Sequence, residues 1–319
     1  MATGGGNEVP KLEDAAKLAG GDGKKRGKKE GKPEADAQPL DPEALAPALR
    51  TEQGLVISTR EFARIEEGIA ALKRAWTEDR EGFPGILEGW VRSVCKESLL
   101  TRADHDLDTA LFGRMVAADP GFNVEAACAV SHAFTTHAFT TEGDYFSAGE
   151  ELNVLGGTGA AITAYAFFGA GVYYQHAVLD RTHLRETLSH GRDAASAERL
   201  TTEAVDAFLR GLVFAQPKGK RNSHGSDVGA SYLLVTRGAD PALNLGLAYL
   251  EPVGRDGDVM CASIAKLRDF HGTLTGAYGL SNRVCVFNAY GPARTGNAPA
   301  APEVWTYEEL RRFVLEPAA

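Results

Sequence analysis

The stretch EAVDAFLRGLVF–AQPKGKRNSHGS, residues 203–226, followed by SYLLV at 231–235, carries the reading of the fold. In the first twelve residues apolar side chains recur at helical spacing, so a helix is expected over about 194–213. SYLLV is a short β-branched and aromatic run, which predicts a strand. Between them lies a loop holding a proline, two glycines, two lysines, an arginine and a histidine. A basic, glycine-punctuated connection between helix and strand is suited to holding an anion. Lys218, Lys220 and Arg221 supply three cations, and Asn222 and Ser223 add hydrogen-bond donors. Phosphates of a nucleic-acid backbone suit such an array, because cations release counterions and neutral donors position the strand without reading its sequence. A solvated turn is the alternative that composition alone leaves open.

Working outward, strands alternate with helices on both sides of this unit. DYFSA (144–148), GGTG (156–159) and ITAYAFFGAG (162–171) together predict a glycine-tipped β-hairpin. GVYYQHAVLD (171–180) predicts one strand. Upstream, Ser58 stands three residues before Glu61 as in a capping box. Phe62, Ile65, Ile69 and Leu72 then repeat at spacings of three and four. Further helices are expected over 86–99 and over 123–138 (NVEAACAVSHAFTTHA), and a short amphipathic one after Thr306. The order predicts an α+β domain with a helical part ahead of its sheet. Residues 1–50 contain no Phe, Tyr, Trp or Ile. That composition cannot offset the entropy of ordering, so the segment reads as a low-complexity, disordered tail. Its KKRGKK cluster (24–29) reads as a solvated charged stretch, with nucleic-acid contact as the alternative.

Bulk composition narrows the function. The 319 residues are 44% hydrophobic, enough for a substantial core, and the net charge of −9 argues against a globally basic nucleic-acid binder. The four cysteines form no CxxC pair and read as free thiols of a reducing compartment. No apolar run is long enough to span a membrane, and residues 1–16 lack a signal-peptide core, so a cytoplasmic location without membrane association is expected.

Nucleotide and catalytic motifs fail one by one. In the basic loop Gly219–Lys220 is followed by Arg221, and the first glycine position of a phosphate-binding loop is Phe214. Gly157 and Gly159 begin a G-x-G whose third glycine position is Ile162. His132 and His137 are five residues apart with no glutamate after the first, which is not the zinc-protease pattern. A packed or capping histidine is the better reading. No G-x-S-x-G and no carboxylate pair in a cleft-forming context occurs. The expectation is a protein that is not an enzyme and carries no metal or cofactor.

Six segments in order then resemble one family: LDTALFGRM (107–115), FNVEAACAVSHAFTTH (122–137), DYFSA (144–148), GVYYQHA (171–177), PKGKRNS (217–223) and LNLGLAYLEPV (243–253). Collinear over about residue 86 to the end, they resemble the CasC family, the backbone subunit of the type I-E CRISPR Cascade complex. The resemblance implies an RRM-like (ferredoxin-like) palm with a helical fingers insertion and a β-hairpin thumb. The fingers would fall within about 51–140 and the palm within 141–319, with the thumb at about 145–170. It implies copies that polymerise along a CRISPR RNA and kink it at intervals, supporting recognition of a target DNA strand beside other Cascade subunits. Arg114 and Met115 match the family's G-R-M, whose methionine wedges beside guide bases; an apolar, pliable side chain suits that task. Phe146 matches an aromatic at the thumb base. Lys218, Lys220 and Arg221, with Asn222 beside them, match the family's glycine–lysine loop ahead of a palm strand. Gln175 and His176 stand where the family carries an arginine and a tyrosine, one cation fewer. The family's opening aliphatic strand, S-x-L-N-R-D-D segment and R-x-S-S-Q-x-x-K-R helix start have no counterpart. The chain is therefore expected to be the C-terminal part of a family member, through a displaced gene start or a truncated frame. The alternative function is a protein–protein scaffold of the same fold that has lost guide binding.

Overall fold

The computed structural model describes residues 54–316, apart from 98–99, 104, 118, 149–161, 216, 218, 220, 226, 292–302 and 305. The tail read at 1–50 and the GGTG hairpin tip lie outside the described residues.

In chain order the elements are α1 (Thr59–Glu78), α2 (Phe83–Glu97), α3 (Leu107–Phe112), β1 (Cys128–Val130), β2 (Phe134–Thr135), β3 (Glu142–Ala148), β4 (Ile162–Phe168), β5 (Tyr173–Tyr174), β6 (Ala177–Leu179), α4 (Arg181–Ser189), α5 (Ala194–Phe214), α6 (Arg221–His224), β7 (Tyr232–Arg237), α7 (Val259–Tyr278), β8 (Arg283–Asn288), β9 (Glu303–Val304) and α8 (Tyr307–Leu315). The strands form small separate sheets. β1 pairs antiparallel with β6, β2 with β5 and β3 with β4, while β7, β8 and β9 form a three-stranded sheet in that order. The mixture is α+β, as the alternation of patterns predicts.

Helix α5 is the spine of this arrangement. Its buried positions, Ala197, Thr201, Ala204, Val205, Leu209 and Val213, recur every three or four residues and so lie on one face. The N-terminal half of that face packs with Leu184 and Leu188 of α4, Ala110 and Leu111 of α3, and Ala127. The C-terminal half packs with Cys285 and Phe287 of β8 and Leu310 and Phe313 of α8. Leu184, Leu188 and Leu310 are fully buried, and each contributes roughly 1.5–3 kcal/mol of transfer free energy. A third cluster joins Tyr174, Leu245, Tyr249 and Val253 to Leu267, Phe270 and Leu274 of α7.

Several local expectations hold. Ser58 caps α1 in a complete capping box with Glu61, and the helix expected after Thr306 forms as α8, where the structure adds a second capping box between Thr306 and Glu309. Residues 83–97 and 194–214 are helical and 232–237 form a strand. β3 and β4 form the expected antiparallel ribbon.

One expected helix is absent. Residues 123–138 hold β1 and β2 instead, and the nearby single strand read at 171–180 is divided into β5 and β6. The run AACAV is short and continuously apolar, and periodicity cannot separate such a run from a buried strand. Pairing decides it: Cys128, Ala129 and Val130 match Leu179, Val178 and Ala177, and Phe134 and Thr135 match Tyr174 and Tyr173. Between the two pairings Ser131 engages the chain at Gln175 and His176. Its N–H donates to the His176 carbonyl at 2.8 Å, and its Oγ accepts from the His176 N–H at 2.9 Å.

Helices α1 and α2 form a hairpin of their own. Gly68 lets the Trp90 indole lie against α1, since a Cβ there would come within 2.9 Å of the ring. Trp76 meets Phe83 edge-on at 4.9 Å.

Candidate nucleic-acid interface

Helix α3 ends at Gly113, whose φ of 77° is one that L side chains rarely adopt, and a Cβ there would sit 2.7 Å from the Val124 carbonyl. The chain leaves the helix in extended form, and Arg114 bridges antiparallel to Val124 through two N–H···O bonds of 2.9 Å. Neighbouring side chains on extended backbone point to opposite sides. Arg114 goes inward and is buried, so Met115 goes outward and is 73% exposed. Phe112, the last residue of α3, is 62% exposed on the other side of the glycine. Two large apolar side chains therefore stand in solvent within three residues of each other.

The burial of Arg114 is what holds this loop. Its Nη1 donates to both oxygens of Glu61 at 2.9 and 3.0 Å, Nη2 to the Thr101 carbonyl at 2.8 Å, and Nε to the Phe122 carbonyl at 3.1 Å. Glu61 also accepts from the backbone N–H groups of Ser58 at 2.7 Å and Thr101 at 2.6 Å. Burial alone would raise the Glu61 carboxyl, but those two N–H groups and the Arg114 guanidinium outweigh it and hold it below its ordinary value. One carboxylate thus caps α1 and anchors the Met115 loop. Arg114 was read with Met115 as an RNA contact; here its guanidinium is committed to the protein, and Met115 is the member of the pair that faces solvent.

Phe146 lies on β3 opposite Ala164, on the ribbon face that also carries Ile162 and Phe168. The other face carries Tyr145 and Tyr165, whose rings are 5.2 Å apart. Every residue of β3 is exposed, Phe146 by 44%, and Phe167 on β4 by 72%. A two-stranded ribbon with exposed aromatic residues on both faces is marginal by itself and gains stability by packing on something else.

The basic loop follows α5. Lys218 and Lys220 lie outside the described residues. Arg221 and Asn222 open the helical turn α6, and both are exposed. The Arg221 Nε donates to Asp227 at 2.7 Å, with both side chains more than half exposed. An exposed pair of this kind contributes about 0–1 kcal/mol, so an incoming phosphate can displace the carboxylate. The structure joins Arg114 and Met115 in one loop and leaves Phe146 and Arg221 on separate elements.

His137 is packed, as expected. Its Nε2 accepts the Val172 N–H at 3.1 Å and its Nδ1 lies 2.9 Å from the Ala138 carbonyl, the tautomer with the proton on Nδ1. Both ring nitrogens are used. Among the described residues no helix is long and apolar enough to cross a membrane.

Two features escaped the sequence reading. Phe112 could have been noticed as an aromatic residue at a helix end immediately before a glycine. The bonding of Glu61 to Arg114, 53 positions away, left no local signal.

Solved structures of similar fold exist. A chain of a "CRISPR RNA-guided surveillance complex, pre-nicking" superposes with a TM-score of 0.61 at 21% identity, over 69% of this chain and 57% of that one. A chain of a "CRISPR RNA-guided surveillance complex" gives 0.55 at 24% identity, over 66% and 77%. The chain thus spans little more than half the length of the first of these. At such identities the likeness is one of fold. No curated protein matches the sequence. The family described as CT1975-like protein (Cas_CT1975) matches residues 11–309, and the chain belongs to that family.

Proposed function

We propose that this chain is a guide-RNA-holding backbone subunit of a CRISPR surveillance complex, of the type I-E class. It would bind the RNA without cutting it. The observation that carries the reading is Met115, 73% exposed at the end of a loop whose neighbouring arginine is fully engaged inside the protein. A rigid loop presenting an apolar, pliable tip can enter a gap between unstacked bases and fill it without demanding a base identity. Phe112 beside it offers a stacking surface. Family membership and the fold shared with chains of CRISPR RNA-guided complexes support the assignment.

In this reading the ribbon β3–β4 is the thumb, and Phe146 meets the displaced base at its foot. The loop 215–226 holds phosphates through Lys218, Lys220, Arg221 and Asn222. The three-stranded sheet β7–β8–β9 with α5 and α8 belongs to an RRM-like palm. Exposed aromatic residues on both ribbon faces would be covered by the guide and by a neighbouring copy, so that copies line up along the RNA in the cytoplasm with a target DNA strand and other Cascade subunits.

The test is binding of single-stranded RNA of mixed sequence to the full chain over a range of salt. Sequence-tolerant binding that weakens as salt rises is the expected result. A well-folded chain that binds no RNA at any salt refutes the reading and favours a protein–protein scaffold.

A further inference from the structure

Helix α1 is buried only at Glu61, and the rest of its apolar surface divides into two lines. Ile65, Gly68, Leu72 and Ala75 are half-buried and fall on one side at spacings of three and four, where Gly68 lies against the Trp90 indole of α2. Phe62, Ile69 and Trp76 recur every seven residues along the edge of that side and are 50%, 43% and 48% exposed. Trp76 meets Phe83 of α2 edge-on and lies under the Arg80 guanidinium at 5.2 Å. Large apolar side chains at a seven-residue period form the seam by which one helix packs along another. Here the seam stands half in solvent, which marks it as an interaction surface.

The charges beside the seam say what it fits. Glu66 and Lys73 follow the same seven-residue period on its solvent side, and both are exposed. Three and four positions away in either direction, Glu66 has no basic residue and Lys73 no acidic one. About 10 Å of helix separates the two, so neither finds an opposite charge on its own face of α1. A second copy of α1 laid antiparallel about Ile69 supplies both. Phe62 and Trp76 are each seven residues from Ile69, so each faces the other type across the contact. Glu66 stands three residues before Ile69 and Lys73 four after it, which brings each opposite its counterpart to within about one residue rise, ~1.5 Å. A parallel arrangement would set Glu66 against Glu66 and Lys73 against Lys73, with the helix dipoles aligned, and both effects are unfavourable.

We infer that the Phe62–Ile69–Trp76 face of α1 is a two-fold interface, which pairs antiparallel with the same face of a second copy of this chain. The contact is isologous: Glu66 of each copy meets Lys73 of the other, and the three apolar side chains of each cover those of the other. It neither needs nor repeats the guide-holding function proposed above. Copies strung along one RNA strand share its polarity and succeed one another head to tail, whereas an antiparallel contact closes on itself. This face therefore joins two chains, or two rows of chains, back to back.

The experiment is sedimentation velocity of the full chain, freed of nucleic acid, over a range of concentration. The wild type is expected to shift toward twice the monomer mass as concentration rises. E66K and K73E each set like charges against each other and lose the dimer, while E66K/K73E restores it, because both contacts are exchanged together. Glu66 and Lys73 are exposed, so the three variants melt close to the wild type, which is checked first. Ile69 falls on the two-fold axis, so I69C oxidises to a cross-linked dimer beyond the wild-type level, whereas A71C, on the other flank of α1, does not. A chain that stays monomeric at every concentration overturns the inference. So does association that persists in both single variants, or that the double variant fails to restore, since another face or another molecule then covers the seam. A dimeric I69C protein that does not cross-link places the contact elsewhere and overturns it as well.

Discussion

Removing one partner of the Glu61–Arg114 pair is the most informative perturbation of this fold. Glu61 is 0% exposed and Arg114 4%, and Glu61 receives the guanidinium and two backbone N–H groups. In Glu61→Gln the shape is kept but the charge is lost, one of the two accepting oxygens becomes an NH2 that cannot accept from the donors facing it, and Arg114 is left as a buried unmatched charge. The cost is roughly 3–5 kcal/mol, the range found when one member of a buried pair is deleted. Arg114→Met leaves the Glu61 carboxylate uncompensated and costs about the same. The double variant E61Q/R114M carries no buried charge, so it should lose less than the sum of the singles by at least about 2 kcal/mol. Urea unfolding of the four proteins measures this through the midpoints at constant slope. Additive losses, or a single variant that costs under about 1 kcal/mol, would refute the claim that this pair is what anchors the Met115 loop to helix α1.

Met115→Ala should change stability by no more than about 0.5 kcal/mol, because the side chain is in solvent, while RNA affinity falls; a large drop in the thermal melt would place Met115 in the core. Gly113→Ala should destabilise by more than about 1 kcal/mol, since φ is positive and the added Cβ meets the Val124 carbonyl, and denaturant unfolding checks it. His105, His176 and His271 each have their pKa lowered, burial being the first cause. The unfolded chain then takes up protons near the ordinary histidine value of 6.5 while the fold resists them, so stability is greatest above that value and falls as pH drops through it. The lowered Glu61 carboxyl extends the loss into the carboxylate range. Melts at successive pH values should fall from about pH 7 downward, and a flat profile would contradict the burial of these groups.

Elements with local instructions were legible in the sequence. Ser58 with Glu61 marked the start of α1, because both halves of a capping box lie within four residues, and the amphipathic pattern after Thr306 marked α8. The ribbon β3–β4 and the spine helix α5 followed from the two side-chain periods, 2 and 3.6, which are properties of the chain itself. Met115 was singled out through a motif. Its exposure was decided by tertiary structure, through the extended backbone after Gly113 and the inward turn of Arg114. The segment 123–138 shows the limit plainly: its apolar run fits helix or strand equally, and strand prevails because Cys128 to Val130 find partners about fifty residues later at Ala177 to Leu179. A similar distance, 53 positions, separates Glu61 from Arg114. Backbone pairing and charge neutralisation act across space, so neither leaves a periodic trace in the order of residues, and only the folded chain shows which groups they join.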